Sequence, residues 1–303
     1  MKIQPDFFPK KHLGQHFLID PHVTEKIISA CQLKPDDVVL EIGPGLGVLT
    51  HRIAPLVKRV IAVETDRKLC EKLAQEIAYS RSHLKTSKGM SFPNVLIGNP
   101  DEAVIGPPIK TFGGDSFKIS SNIEVVHADF LKYNFDLLPE KLKVIGNLPY
   151  YISSPIMTRL LNDRKYFSAI FITVQLEFGQ RLCAKVDTKD YSALSCFVQY
   201  FADVKMLFKI KNAAFKPIPK VDSCFMRIIP HEKFPFKADE EDFLFKVIHQ
   251  SFQQRRKTLP NTLSGLIERE RLYPILESLK IDPKSRPENL SVKNFVEISN
   301  ALQ

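Results

Sequence analysis

Tryptophan is absent from the 303 residues, and that absence by itself decides nothing. Others exclude more. The five cysteines (Cys31, Cys70, Cys183, Cys196 and Cys224) are odd in number, widely spaced, and include no pair at two-residue spacing. A disulfide framework and a zinc ribbon are both disfavoured by that pattern, which fits reduced, mostly buried thiols. No metal is expected. The N-terminal segment Met1-Lys2-Ile3-Gln4-Pro5-Asp6 lacks an apolar core of signal-peptide length. The longest apolar stretches, such as Ala169-Ile170-Phe171-Ile172, fall far short of a membrane span. The expected location is the cytoplasm, with no membrane partner.

What is present is an ordinary globular composition, 44% hydrophobic and 25% charged, with 43 basic against 34 acidic residues and a formal charge of +9. Summed positive potential of this size points to an anionic partner such as nucleic acid. The length suits one large domain with a smaller one. From residue 23 onward helix-like and strand-like segments alternate, the pattern of a parallel sheet with crossover helices. Helices are expected at Val23–Cys31, Val48–Leu56 and Arg67–Ala78. Strands are expected at Val38–Ile42, Arg59–Glu64, Ile123–Val126, Lys143–Gly146, Ser168–Val174, Phe197–Phe208 and Cys224–Ile229. Residues 79–122, rich in Ser, Gly, Pro and Lys, read as a surface insertion. A composition shift at Pro230–Asp239 separates a domain of residues 1–230 from a small all-helical domain of residues 231–303, which opens with Phe243, Leu244, Val247, Ile248 and Phe252 at helical spacing.

Two motifs carry chemistry. Glu41-Ile42-Gly43-Pro44-Gly45-Leu46-Gly47 follows the first strand, and its glycines let the backbone turn sharply and approach a ligand. A dinucleotide fingerprint needs its third glycine at position 48, where Val48 stands, so the spacing argues against a nicotinamide cofactor. Alternate glycines after an acidic residue suit S-adenosylmethionine. Glu64, at the end of the second strand, is placed to accept from a ribose diol, and Asp129 to accept from an adenine amino group. The second motif is Asn147-Leu148-Pro149-Tyr150. It offers an amide oxygen, a carbonyl stiffened by the following proline and a stacking ring, which together fit a flat amino-purine. Ile97-Gly98-Asn99-Pro100 copies its start, but Asp101 and Glu102 stand where the ring is needed.

Taken in order, Lys11-His12-Leu13-Gly14-Gln15-His16-Phe17-Leu18, the glycine loop, Asn147–Tyr150 and Arg255-Arg256-Lys257-Thr258-Leu259 resemble the bacterial small-subunit ribosomal RNA adenine N6,N6-dimethyltransferases. That resemblance implies a Rossmann-like α/β methyltransferase sheet with a helical C-terminal domain. It also implies methyl transfer from S-adenosylmethionine to N6 of two adjacent adenosines near the 3′ end of small-subunit rRNA, leaving S-adenosylhomocysteine. By the same resemblance His16, Leu18, Gly43, Gly45, Glu64, Asp129 and Asn147 hold the cofactor, and Asn147, Leu148, Pro149 and Tyr150 form the catalytic segment. His16 stands where relatives often carry Asn, and the insertion is longer than is usual in the family.

The target base must leave its stack to reach such a pocket. Tyr150 can stack on one face, and Phe215, in a segment matching the family's second aromatic motif, is the candidate for the other. RNA contacts are expected from Lys10, Lys11, Lys216, Lys220, Arg255, Arg256 and Lys257. The last three also read as the basic end of a helix that opens with Asp239–Asp242. The partner implied is small-subunit rRNA within a pre-ribosomal particle, met by a monomer. Three alternatives stay open: a resistance-type large-subunit rRNA adenine methyltransferase, a non-catalytic nucleic-acid-binding relative, and a DNA adenine methyltransferase.

Overall fold

A computed structural model describes residues 14–84, 109–111, 114–118, 122–136, 138 and 140–303. Lys10, Lys11 and the Ile97–Pro100 motif lie outside them. The contacts divide the chain into one unit of residues 1–175 with 207–227 and another of residues 176–206 with 228–303.

In the first unit β2 (Val38–Ile42) is buried at every position. Such an unbroken apolar run marks a strand covered on both faces, as parallel sheets require. β2 pairs in parallel with β3 (Arg59–Glu64) on one side and β7 (Leu142–Asn147) on the other. β6 (Ile123–His127) continues beside β3, and β8 (Phe167–Gln175) beside β7, again in parallel. A two-strand edge of β4 (Ile109–Thr111) and β5 (Gly114–Lys118) is antiparallel to β6. With β9 (Ala202–Ile210) and β11 (Ser223–Pro230) the sheet has, among the described residues, nine strands in the order β4-β5-β6-β3-β2-β7-β8-β11-β9. The chain steps outward from β2 through β3 to β6, then returns to lay β7 on the other side of β2. That reversal opens a crevice beyond the carboxyl ends of β2 and β7, the place where open α/β sheets bind ligands.

A separate ladder joins β1 (Phe17–Leu18) to β10 (Phe215–Lys216), pairing Leu18 with Phe215. Helix α1 (Pro21–Ala30) begins where Asp20 accepts from His22 N at 2.8 Å and Pro21 takes the first turn. Helix α3 (Arg67–Leu84) buries Leu69, Leu73 and Ile77, the apolar stripe read from the sequence. Helix α4 (Ser153–Asn162) follows the Asn147–Tyr150 segment and buries Ile156, Met157 and Leu160.

The second unit is mainly helical: α5 (Leu176–Leu182), α6 (Ala193–Phe201), α7 (Glu241–Phe252), α8 (Leu259–Leu263), α9 (Arg269–Ser278) and α10 (Val292–Ala301). Phe197, Tyr200, Phe201, Phe234 and Phe245 form an aromatic cluster with ring centroids about 5–6 Å apart.

Four expectations need correction. Val48–Leu56 is not one helix, because Pro55 has no N–H to donate: α2 (Thr50–Ile53) ends before it and a single 3₁₀ turn covers Ala54–Leu56. Phe197–Phe208 is half helix, since the Ser192/Ser195 capping box starts α6 upstream and carries it to Phe201 before β9 begins. The span 79–122 is not all loop: α3 runs to Leu84, with no Gly or Pro to stop it there, and β4 and β5 extend the sheet. The basic triplet at 255–257 does not end α7, which stops at Phe252, so its benefit from the helix dipole is slight.

Candidate active site

The crevice is lined from the carboxyl ends of four strands. After β2 the backbone turns through Gly43, Gly45 and Gly47 with φ of +64°, +57° and +74°, a region L-residues avoid. A Cβ on Gly43 would meet nothing within 4 Å, so the backbone here borders open space; one on Gly47 would lie 2.4 Å from Leu73 Cδ1. The first glycine leaves room for a ligand, and the third lets the turn pack on α3.

At the end of β3 the Glu64 carboxylate is 6% exposed. Its Oε2 accepts from Gly45 N at 3.2 Å and its Oε1 from Asp66 N at 3.0 Å. Each oxygen keeps a further lone pair for a ligand hydroxyl. Burial raises its pKa, against the pull of those backbone donors. Glu41, inside β2, is 2% exposed and accepts from Thr50 Oγ1 at 2.6 Å. Burial pushes its carboxyl up to about 7; the Thr50 hydrogen bond opposes this and the charge of Glu64 adds to it. Beyond β6, Asp129 is exposed and caps a 3₁₀ turn, its Oδ1 accepting from Leu131 N at 3.0 Å.

Asn147 closes β7, and its Nδ2 donates to the His16 carbonyl at 2.8 Å. That bond decides the amide orientation and leaves Oδ1 as the accepting end. Leu148 is 1% exposed and its N–H donates to Thr173 O at 3.0 Å. The Pro149 carbonyl is taken by Ile152 N and Ser153 Oγ. The Tyr150 hydroxyl is bound to Ser223 Oγ at 2.6 Å, and its ring stacks on His16 at 5.4 Å between centroids, 26° from parallel. Burial raises the Tyr150 pKa. His16 also uses Nδ1 on the Pro217 carbonyl at 2.7 Å, so it ties three segments together.

A cavity of about 270 Å³ is lined by Leu18, Gly43, Glu64, Asp129, Asn147 and Tyr150, with His16 and Gly45 also at its wall. The structure therefore brings the sequence-predicted cofactor and catalytic residues to one place. Phe215, Lys216 and Lys220 do not line it. Phe215 is 1% exposed within the β1–β10 ladder, so in this conformation its ring offers almost no face to a ligand. Lys216, Lys220, Arg256 and Lys257 are exposed, and Arg255 donates to Lys189 O at 2.9 Å within the second unit. Sequence reasoning missed Ser223, which anchors Tyr150, and Gln15, whose Nε2 lies 3.4 Å from Asp66 Oδ2. Gln15 lies within the N-terminal Lys11–Leu18 motif, but nothing along the chain links Ser223 to Tyr150.

The residues present fit S-adenosylmethionine: a backbone cradle that a side chain on Gly43 would fill, and carboxylates ending neighbouring strands. Sheet order and crevice place this fold among the Rossmann-like S-adenosylmethionine-dependent methyltransferases. Comparison with known proteins narrows the class. The family of ribosomal RNA adenine dimethylases matches residues 7–92 and 112–303. Ribosomal RNA small subunit methyltransferase A of Clostridium acetobutylicum is 34% identical over 96% of this chain and 93% of its own. The protein of the same name from Pelotomaculum thermopropionicum is 37% identical over 97% and 91%. A dimethyladenosine transferase structure from Plasmodium falciparum superposes with a TM-score of 0.71 at 25% identity, covering 93% of this chain and 96% of that one. The 23S rRNA methyltransferase ErmE shares the fold, with a TM-score of 0.65 at 23% identity over 94% and 99%. The chain belongs to the ribosomal RNA adenine dimethylase family.

Proposed function

We propose that this protein transfers methyl groups from S-adenosylmethionine to N6 of two adjacent adenosines near the 3′ end of small-subunit rRNA. It acts as a cytoplasmic monomer on a pre-ribosomal particle. The observation that carries the reading is the Asn147 amide. Its Nδ2 is committed to the His16 carbonyl, and its Oδ1 is left to accept an N6–H.

The adenine N6 lone pair is delocalised into the ring, which makes the amino group a poor nucleophile. Hydrogen bonds from N6 to Asn147 Oδ1 and the Leu148 carbonyl draw density onto nitrogen and turn its lone pair toward the methyl group. S-adenosylmethionine, when bound, supplies that methyl on a sulfonium leaving group, and the proton displaced from N6 passes to solvent. The protein contributes orientation and placed dipoles, worth several kcal/mol of barrier. Tyr150, held by Ser223 and backed by His16, offers its ring to the base. Glu64 and Asp129 hold the ribose and adenine of the cofactor, with His16, Leu18, Gly43 and Gly45 along its length. Lys216, Lys220 and the Arg255–Lys257 cluster contact RNA phosphates, and residues 231–303 serve as the RNA-binding domain.

The test is transfer of labelled methyl to small subunits lacking the modification, with the modified nucleotides mapped by mass spectrometry. Dimethylation of two adjacent adenosines is expected. Label confined to large-subunit rRNA would replace this reading with the resistance-type activity.

A further inference from the structure

The segment after β10 presents an apolar side chain that the fold itself does not use. Ile218 is 65% exposed, so it contributes almost nothing to the core. Its backbone is nevertheless held on both sides. The Pro217 carbonyl accepts from His16 Nδ1 at 2.7 Å, and the Pro219 carbonyl accepts from Asn212 Nδ2 at 3.2 Å. Pro219 is itself buried, and Asp222 accepts from Asn212 N at 3.0 Å, closing the base of the loop. Lys216 and Lys220 flank the tip and are exposed. The same His16 that braces Pro217 stacks on Tyr150, so the tip is mechanically linked to the catalytic segment. A rigid loop with a bare aliphatic side chain between two lysines matches a nucleic-acid partner: the lysines suit phosphates, and the aliphatic group suits the gap between bases.

We propose that Ile218 is a wedge. Its side chain enters the RNA base stack beside the target adenosine and occupies the gap left when that base turns into the cavity, so the flipped state does not reclose before methyl transfer. The inference rests on the rRNA adenine reading given above. Extruding a base costs the stacking it had with its neighbours, and a wedge recovers part of this without touching the reacting atoms. Ile218 is thus a positioning residue, not a catalytic one.

The test uses the full-length protein, its Ile218→Ala and Ile218→Leu variants, and unmodified small subunits. Single-turnover methyl transfer should fall about ten-fold in Ile218→Ala, the low end of what truncating a side chain that contacts a base costs, and recover in Ile218→Leu. S-adenosylhomocysteine binding and thermal midpoint should match wild type in both. With S-adenosylhomocysteine present, wild-type protein should enhance 2′-hydroxyl acylation of the nucleotides flanking the target, and Ile218→Ala should not. An Ile218→Ala protein that keeps the enhanced acylation overturns the wedge, whether or not its rate falls. So does one that transfers at the wild-type rate. If the wild-type protein methylates no small-subunit adenosine, the functional reading itself fails, which is a separate and earlier result.

Discussion

Replacing Asn147 separates the chemical role of its amide from the structural one. The Nδ2 bond to His16 O at 2.8 Å is a neutral side-chain-to-backbone contact, so Asn147→Ala should lower stability by about 1 kcal/mol. For a domain of this size that is a shift of about 2–4 °C in thermal midpoint. The loss in rate should be much larger, because in the proposed mechanism the Oδ1 acceptor works where charge develops on N6. Removing one placed hydrogen-bonding group of this kind costs about 10²–10³ in kcat, or about 2.7–4 kcal/mol. Asn147→Asp keeps an acceptor but cannot donate to His16, and it sets a carboxylate against that carbonyl. It should retain more activity than Asn147→Ala while being less stable. The assay is single-turnover methyl transfer to unmodified small subunits at saturating cofactor, with melting curves recorded on the same preparations. A rate for Asn147→Ala within threefold of wild type would refute the placed-acceptor mechanism.

Gly47→Ala should destabilise the protein by about 2–5 kcal/mol, combining the left-handed backbone penalty with overpacking against Leu73; an unchanged urea midpoint would contradict the packing of that turn. Glu41 is buried with its carboxyl raised to about 7 from 4.5. The unfolded chain therefore releases this proton first, and the group's contribution to stability falls as pH rises from about 4.5 to 7, by about 3 kcal/mol in all. Glu41→Gln should remove that slope from the cofactor-free protein, and parallel stability–pH curves for the two proteins would count against it. Lys143 lies 2.6 Å from Asp37 Oδ2 and 2.9 Å from Gln32 O, with side chains 11% and 19% exposed. Asp37→Ala should cost about 2–3 kcal/mol, less than the ~3–5 of a fully buried pair because both ends touch water, and Lys143→Met should restore most of it in the double variant. Equal stability of the single and double variants would show that the unpaired ammonium is not what costs.

Much of the sheet was legible because its strands are short apolar runs closed by glycine or by polar residues. β2, β3 and β7 fall within a residue or so of expectation, and the glycine turn and Asn147–Tyr150 appear directly at their ends. The failures share a cause. Phe197–Phe201 carries aromatics that suit either a strand or one face of a helix, and the capping serines that decide it lie outside that window. The Arg255–Lys257 triplet gives no sign of where α7 ends. Phe215 could not be distinguished as a buried ladder residue, since its partner Leu18 lies roughly 200 residues away in the chain.

The sequence alone determined the chemistry on offer: a glycine turn after a strand, carboxylates at or just past the ends of two later strands, and an amide, a carbonyl and a ring within four consecutive residues. The glycine turn, the carboxylate at or just past each strand end and the four-residue motif are local properties, set by residue type and spacing over a few positions; which strands lie side by side is not. Tertiary structure decided how they are used. The orientation of the Asn147 amide comes from His16, 131 residues away; Ser223, 73 residues from Tyr150, fixes the tyrosine hydroxyl. The burial that raises Glu41 likewise comes from the surrounding sheet. Interactions of that range depend on which strands the topology lays side by side, and the reversal of strand order at β2 and β7 sets that.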